Sequence, residues 1–170
     1  MSEPSAALGA PRFETTGRRL IAGFRESYAF SDDRFKQGIG AQWQRLGPMI
    51  GRIPGQVGAI AYGVCFGMFG NAARFDYIAG VEVAATDGLP DGFTTVLLPP
   101  RTWAVFPHRL HATRFNETMA AILRDWLPGS GQEIADGEDA PDLLESYGDA
   151  FDPATGLGGM ELWLPVRSRS

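Results

Sequence analysis

Gly159-Met160-Glu161-Leu162-Trp163-Leu164-Pro165-Val166 reads as a strand of regular alternation near the C-terminus. Successive strand side chains point to opposite faces, so Met160, Leu162 and Leu164 share one face and Glu161 and Trp163 the other. The first face has the composition of core. The second sets a carboxylate beside an indole on a strand otherwise suited to burial. A carboxylate against aromatic surface requires a hydrogen bond, a proton or a cation. The expectation drawn here is the third: Glu161 points inward and receives a cation.

Upstream, the same patterning divides the chain into two similar runs. Arg19 to Arg25 reads as a strand, and Ser31-Asp32-Asp33 offers helix-start chemistry. Phe35, Ile39, Trp43, Leu46 and Ile50 then recur at helical spacing, with Gly47-Pro48 ending the helix. Val57 to Met68 and Arg74 to Val83 read as strands joined by a turn at Gly70-Asn71. In the first of these, Ala59, Ala61, Gly63, Cys65 and Gly67 suit the close approach of a helix. The larger alternate residues, Ile60 to Met68, suit a cavity wall.

The pattern then recurs. Phe93 to Leu98 and Thr102 to His108 are strands broken at Pro99-Pro100. Thr113 is a candidate N-cap for a helix with Phe115, Met119, Ile122, Leu123 and Trp126 on one face, ended by Pro128-Gly129. Leu143 to Tyr147 and the terminal strand complete the second run. The fold class expected is α+β: two similar β-α-β-β units, 13–88 and 93–167, set side by side as a duplication, with antiparallel sheets, two main helices and a ligand cleft between the sheets. Residues 1–12 are expected to form a flexible tail ahead of a single domain, 13–170.

Composition narrows the function classes. Lys and Arg number 15 against 20 Asp and Glu, a net charge of −5, which disfavours nucleic acid and anionic membrane as partners. The single cysteine, Cys65, excludes a disulfide framework and suits a reducing, cytoplasmic setting. No apolar run is long enough to cross a bilayer. His108, His111 and Cys65 are too few and too scattered for a metal site, and Gly38-Ile39-Gly40 lacks the rest of a dinucleotide loop. No metal and no cofactor are expected. The acidic run Asp136 to Asp142 lacks calcium-loop register and reads as solvated surface.

Several stretches of the second run resemble one family. They are Thr102 to His108, Asp125-Trp126-Leu127-Pro128, Glu145-Ser146-Tyr147, Phe151-Asp152-Pro153 and, above all, Glu161-Leu162-Trp163-Leu164-Pro165-Val166. Together they look like the gyrase-inhibitor-like small-molecule-binding domain, the effector-binding domain of AraC-type and MerR-type transcription regulators. The resemblance implies a pseudo-twofold fold of two β-α-β-β units around a central pocket for hydrophobic, often cationic, aromatic compounds. It implies that Glu161 is the buried negative charge, with Trp163, Tyr147, Tyr62 and Phe106 as aromatic lining, Trp43 and Phe66 behind them, and Glu145 as a second carboxylate. Residues 1–17 cannot form a helix-turn-helix, so direct DNA binding is not expected and a stand-alone form is. The family also implies two other readings: a hydrolase of strained electrophiles using Glu161 with Tyr147 or Tyr62, and an inhibitor that binds a topoisomerase.

Overall fold

The computed structural model describes residues 8–69, 73–135 and 140–169. Its elements in chain order are β1 (Arg12–Thr16), β2 (Arg19–Ala29), α1 (Phe35–Leu46), β3 (Gln56–Phe66), β4 (Arg74–Val83), β5 (Thr94–Leu98), β6 (Arg101–Pro107), α2 (Phe115–Ala121), β7 (Gln132–Ile134), β8 (Leu143–Tyr147) and β9 (Glu161–Ser168). Each predicted strand and helix is present. Two short strands, β1 and β7, are additional: β7 pairs with β9, and β1 pairs with β6 although it begins in the stretch read as a tail. The turn assigned to Gly70-Asn71 and most of the acidic run lie outside the described residues.

The helix starts differ from expectation. Asp32 Oδ1 accepts the backbone N–H of Arg34 at 3.0 Å, but the residue at the cap of α1 is Arg34. Before α2 a short 3-10 turn, Ala112–Arg114, takes up the slack, and the His111 ring rather than Thr113 accepts the first free N–H. Helix α2 runs into a π-helical stretch, Ile122–Trp126, and ends in a 3-10 turn containing Pro128.

All nine strands form one antiparallel sheet in the order β1-β6-β9-β8-β3-β4-β2-β5, with β7 beside β9. The order is palindromic in the repeat. β2, β3 and β4 correspond to β6, β8 and β9, so a pseudo-twofold passes between the central strands β3 and β8. The two units thus share a continuous sheet, joined at Ala61↔Tyr147 through Cys65↔Leu143 with Gly63↔Glu145 in the middle.

The sheet cannot be flat. β1 and β2 stand six strand spacings apart along it, about 29 Å if flat. Yet only Gly17 and Arg18 separate them, and three Cα steps span at most about 11 Å. The same holds for β5 and β6 across Pro99-Pro100. The sheet therefore curls into a half-barrel that brings its two ends within about 11 Å of each other at these connections. Trp103, fully buried on β6, donates Nε1–H to Thr16 Oγ1 on the neighbouring β1 at 2.9 Å at one of these ends. One face packs on itself through Ile21, Val64, Ile78, Leu98, Trp103, Val105 and Leu144, contributed by the ends and the middle alike.

The opposite face carries the helices. Phe24, Tyr77, Cys65, Phe106, Leu162 and Leu164 meet Ile39 and Trp43 of α1 and Met119 and Ile122 of the α2 region. Gln42 is the polar link between α1 and the sheet. It is buried, donates to the carbonyls of Phe24 (2.8 Å) and Tyr77 (3.0 Å), and accepts the Tyr28 hydroxyl at 2.6 Å. Gln42→Ala leaves those groups without their partners and opens a void, so it is expected to lower stability by about 2 kcal/mol in urea unfolding. A loss under about 0.5 kcal/mol would show that water replaces the amide without cost.

Candidate functional site

The helix-facing side of the sheet centre is unusual in being built from small residues. Ala59, Ala61 and Gly63 alternate down β3, and the missing volume is a hollow. It has a volume of about 550 Å³ and is lined by Trp43 of α1, Pro48 and Ile50 after it, Ala59 and Ala61 of β3, His111 and Ala112 before α2, and Tyr147, Phe151 and Pro153. This is within the usual range for small-molecule sites. A second hollow of about 140 Å³ lies between Phe35, Ile39, Phe115 and Glu145. The two share Trp43, Ala112 and Tyr147 as common wall.

Glu145 is the one acidic residue among the described residues that is buried as a whole, 3% exposed. It can sit there because the residue opposite it on β3 is Gly63. A Cβ at Gly63 would lie 2.3 Å from Glu145 Oε1 and 2.2 Å from the Tyr77 hydroxyl. Three donors are arranged around that gap. Tyr77 donates its O–H to Glu145 Oε1 at 2.5 Å, and Tyr147 donates to the same oxygen at 3.0 Å. Trp43 Nε1–H in turn donates to the Tyr77 hydroxyl at 3.0 Å. No hydrogen bond from the described residues reaches Oε2. Burial pushes the Glu145 carboxyl above its ordinary range, and the two tyrosine hydrogen bonds oppose that only in part. Burial and then the neighbouring carboxylate push Tyr77 and Tyr147 well up, so both remain O–H donors.

Aromatic rings complete the walls. Tyr147 stands between Trp43, at 5.2 Å between ring centres, and Phe151, at 4.7 Å, both edge to face. Such an assembly offers a flat or cationic guest several ring faces and edges beside the carboxylate.

Of the residues singled out in the sequence, Glu145, Tyr147 and Trp43 meet here. The others do not. Glu161 lies on the opposite face of the sheet with its side chain 26% exposed, and both its oxygens accept from the guanidinium of Arg12 on β1. Its expected inward position is therefore corrected. The register Ser146↔Glu161 and Glu145↔Leu162 places Leu162, not Glu161, on the helix side beside Glu145. Trp163 shares the Glu161 face, donating to Ser146 Oγ at 3.2 Å with Arg12 over its ring at 5.7 Å.

Tyr62 is on that face as well. Its hydroxyl meets Arg19, whose guanidinium lies 4.7 Å from the ring centre. Phe66 lies under Arg25 at 4.5 Å, and Phe106 is fully buried against Trp126. No hydrogen bond among the described residues joins Glu161 to Tyr147 or Tyr62. The small residues of β3 do face the helices, as expected, but the cavity lies on their side rather than on that of Tyr62 and Phe66. The volume they leave empty is what makes it.

Tyr77 is the site residue the sequence reading missed. The available signal was a phenol at the head of the apolar run Ile78 to Val81, which needs a partner for its hydroxyl when buried. His108 is structural: it is buried, with Nδ1 against Thr118 Oγ1 at 2.7 Å and Nε2 against the carbonyl of His111 at 2.9 Å. Cys65 is buried, and desolvation followed by the Glu145 charge pushes its thiol well up, away from the thiolate. Among the described residues no group of three or more His, Cys, Asp or Glu side chains could hold a metal, and no helix is long and apolar enough to cross a membrane.

Comparison with known proteins agrees with this architecture. A solved structure of SAV2435 bound to tetraphenylphosphonium superposes with a TM-score of 0.70 at 16% identity, covering 92% of this chain and 93% of that one. The C-terminal domain of EcmrR superposes at 0.62 and 13% identity, covering 93% and 97%. The transcriptional regulator BrlR of Pseudomonas aeruginosa is 28% identical over 129 residues, which are 75% of this chain and 46% of the regulator. This chain thus spans about half the length of that relative. Residues 10–167 match the model of the GyrI-like small molecule binding domain. Nearly the whole of the described fold, both β-α-β-β units and the hollow between helices and sheet, therefore belongs to the GyrI-like small-molecule-binding family.

Proposed function

We propose that the protein binds a hydrophobic cation in the hollow between α1, the β8–β9 connection and the sheet, with Glu145 as its charge partner. The observation that carries this reading is the buried carboxylate with both tyrosine hydroxyls on one oxygen. Its other oxygen is without a hydrogen bond from the described residues, at the edge of an aromatic-lined space. Such a carboxylate is unfavourable when ionised alone, and a desolvated cation stabilises it through a charge-assisted hydrogen bond. That SAV2435 was solved with a cationic aromatic compound supports the ligand class. The work done is retention of the ligand rather than turnover.

Glu161 has no part in this reading, because Arg12 already neutralises it at a partly exposed site. Calorimetric titration with biphenyl-4-ylmethylammonium and its neutral counterpart biphenyl-4-ylmethanol tests the proposal. The ammonium is expected to bind at least about tenfold tighter, the margin of one charge-assisted hydrogen bond. Glu161→Gln is expected to leave that margin within about twofold and to cost less than about 1 kcal/mol of stability, as for exposed ion pairs. Equal affinity for the two compounds would count against a charge anchor, and collapse of the margin in Glu161→Gln would return the role to Glu161.

A further inference from the structure

The two hollows differ in what they can admit. The larger, about 550 Å³, holds the aromatic surface but is not lined by Glu145. The smaller, about 140 Å³, is lined by Glu145 and falls below the size of ordinary ligand sites. Between them stand Trp43 and Tyr147, and neither is free to swing. Trp43 Nε1–H is held by the Tyr77 hydroxyl, and the Tyr147 hydroxyl is held by Glu145 itself. Opening the wall breaks hydrogen bonds in the network that would receive the charge.

The outer side of the smaller hollow carries Lys36, the one lysine of the chain. Its ammonium opposes the entry of a cation by that route. The larger hollow, whose lining carries no lysine or arginine, offers a cation the more favourable approach, past the wall, to the Glu145 oxygen that no tyrosine occupies.

Resting on the reading of Glu145 as anchor, we infer that the ligand is elongated: an aromatic body filling the larger hollow and a slim protonated amine or amidinium arm reaching Oε2 of Glu145. A globular cation whose charge is wrapped in rings fits the larger hollow only. Its charge stays behind its own rings and behind Trp43 and Tyr147. The site therefore selects for how far a positive charge protrudes from its aromatic carrier, not for positive charge as such.

The test is calorimetric titration of the wild type and Glu145→Gln with biphenyl-4-ylmethylammonium, biphenyl-4-ylmethanol and tetraphenylphosphonium. The ammonium is expected to lose at least about tenfold in the variant and tetraphenylphosphonium less than about threefold. The alcohol, binding both proteins alike, establishes that the variant's site is formed. The wild type supplies an independent reading. Acidification toward the ordinary carboxyl range should weaken the ammonium and leave tetraphenylphosphonium nearly unchanged.

If both cations lose affinity together in either experiment, the inference is overturned while Glu145 remains the anchor. If neither depends on Glu145 or on pH, the anchor itself is wrong and the inference falls with it.

Discussion

Glu145→Gln is expected to weaken a slim aromatic ammonium by roughly 10- to 100-fold while leaving its neutral alcohol within about twofold. The substitution is nearly isosteric, and the amide oxygen can still accept the Tyr77 and Tyr147 hydroxyls. What disappears is the charge. The same variant should be more stable than the wild type at neutral pH, because the wild-type carboxylate is buried against aromatic surface.

The pH dependence follows from the direction of the shift. In the folded protein Glu145 holds its proton to higher pH than in the unfolded chain. Across that window the unfolded state binds fewer protons, so stability falls as pH rises. Thermal unfolding should therefore show the variant's advantage growing from the ordinary carboxyl range upward and vanishing below it. Ligand affinity runs the other way: a cation must displace the proton, so wild-type binding strengthens as pH rises through the raised value. Parallel pH profiles for wild type and variant would contradict both statements.

Gly63→Ala is expected to have the second-largest effect. Its backbone is ordinary extended strand, so alanine carries no conformational strain, and the chain gains roughly 0.5–1 kcal/mol from lost freedom in the unfolded state. Against this stands a methyl group 2.2 Å from the Tyr77 hydroxyl and 2.3 Å from Glu145 Oε1. Both atoms are side-chain ends, so they can move, but only by parting from each other in a buried space. The overpacking costs about 1–3 kcal/mol. The net loss of stability is thus modest, about 1–2 kcal/mol in urea unfolding, while the binding margin between ammonium and alcohol should fall below about threefold. A variant that kept the full margin would show that the tyrosine–carboxylate arrangement is not what the ligand reads.

These two positions also show how far the sequence could be read. Periodicity and turn residues located the helices and the long strands, because a strand's alternation and a helix's stripe are written locally. The pairing of strands was not. Alternation along Gly159 to Val166 separated Glu161 from Leu162 correctly, yet nothing local says which face the helices cover. The deciding contact comes from Arg12, 149 residues away at the start of a five-residue strand whose first residue falls in the stretch read as a tail. With β1 unrecognised, Glu161 lacked its partner and looked like an unsatisfied charge.

The true buried carboxylate was visible only as half of the Glu145/Tyr147 pair. Its other hydroxyl donor, Tyr77, is 68 residues distant on β4. On β3 the small residues Ala59, Ala61 and Gly63 were assigned to close helix packing. A small side chain beneath a helix can mean close contact or empty space, and only the positions of Trp43 and the β8–β9 connection decide between them.

The central claim is that Glu145, and not Glu161, receives the ligand's charge. A crystal structure of the protein with biphenyl-4-ylmethylammonium tests this most directly. The account requires the nitrogen within about 3 Å of Glu145 Oε2, beyond Trp43 and Tyr147, with the Arg12–Glu161 pair undisturbed. A nitrogen beside Glu161, with Arg12 displaced and the hollow at Trp43 vacant, would contradict it.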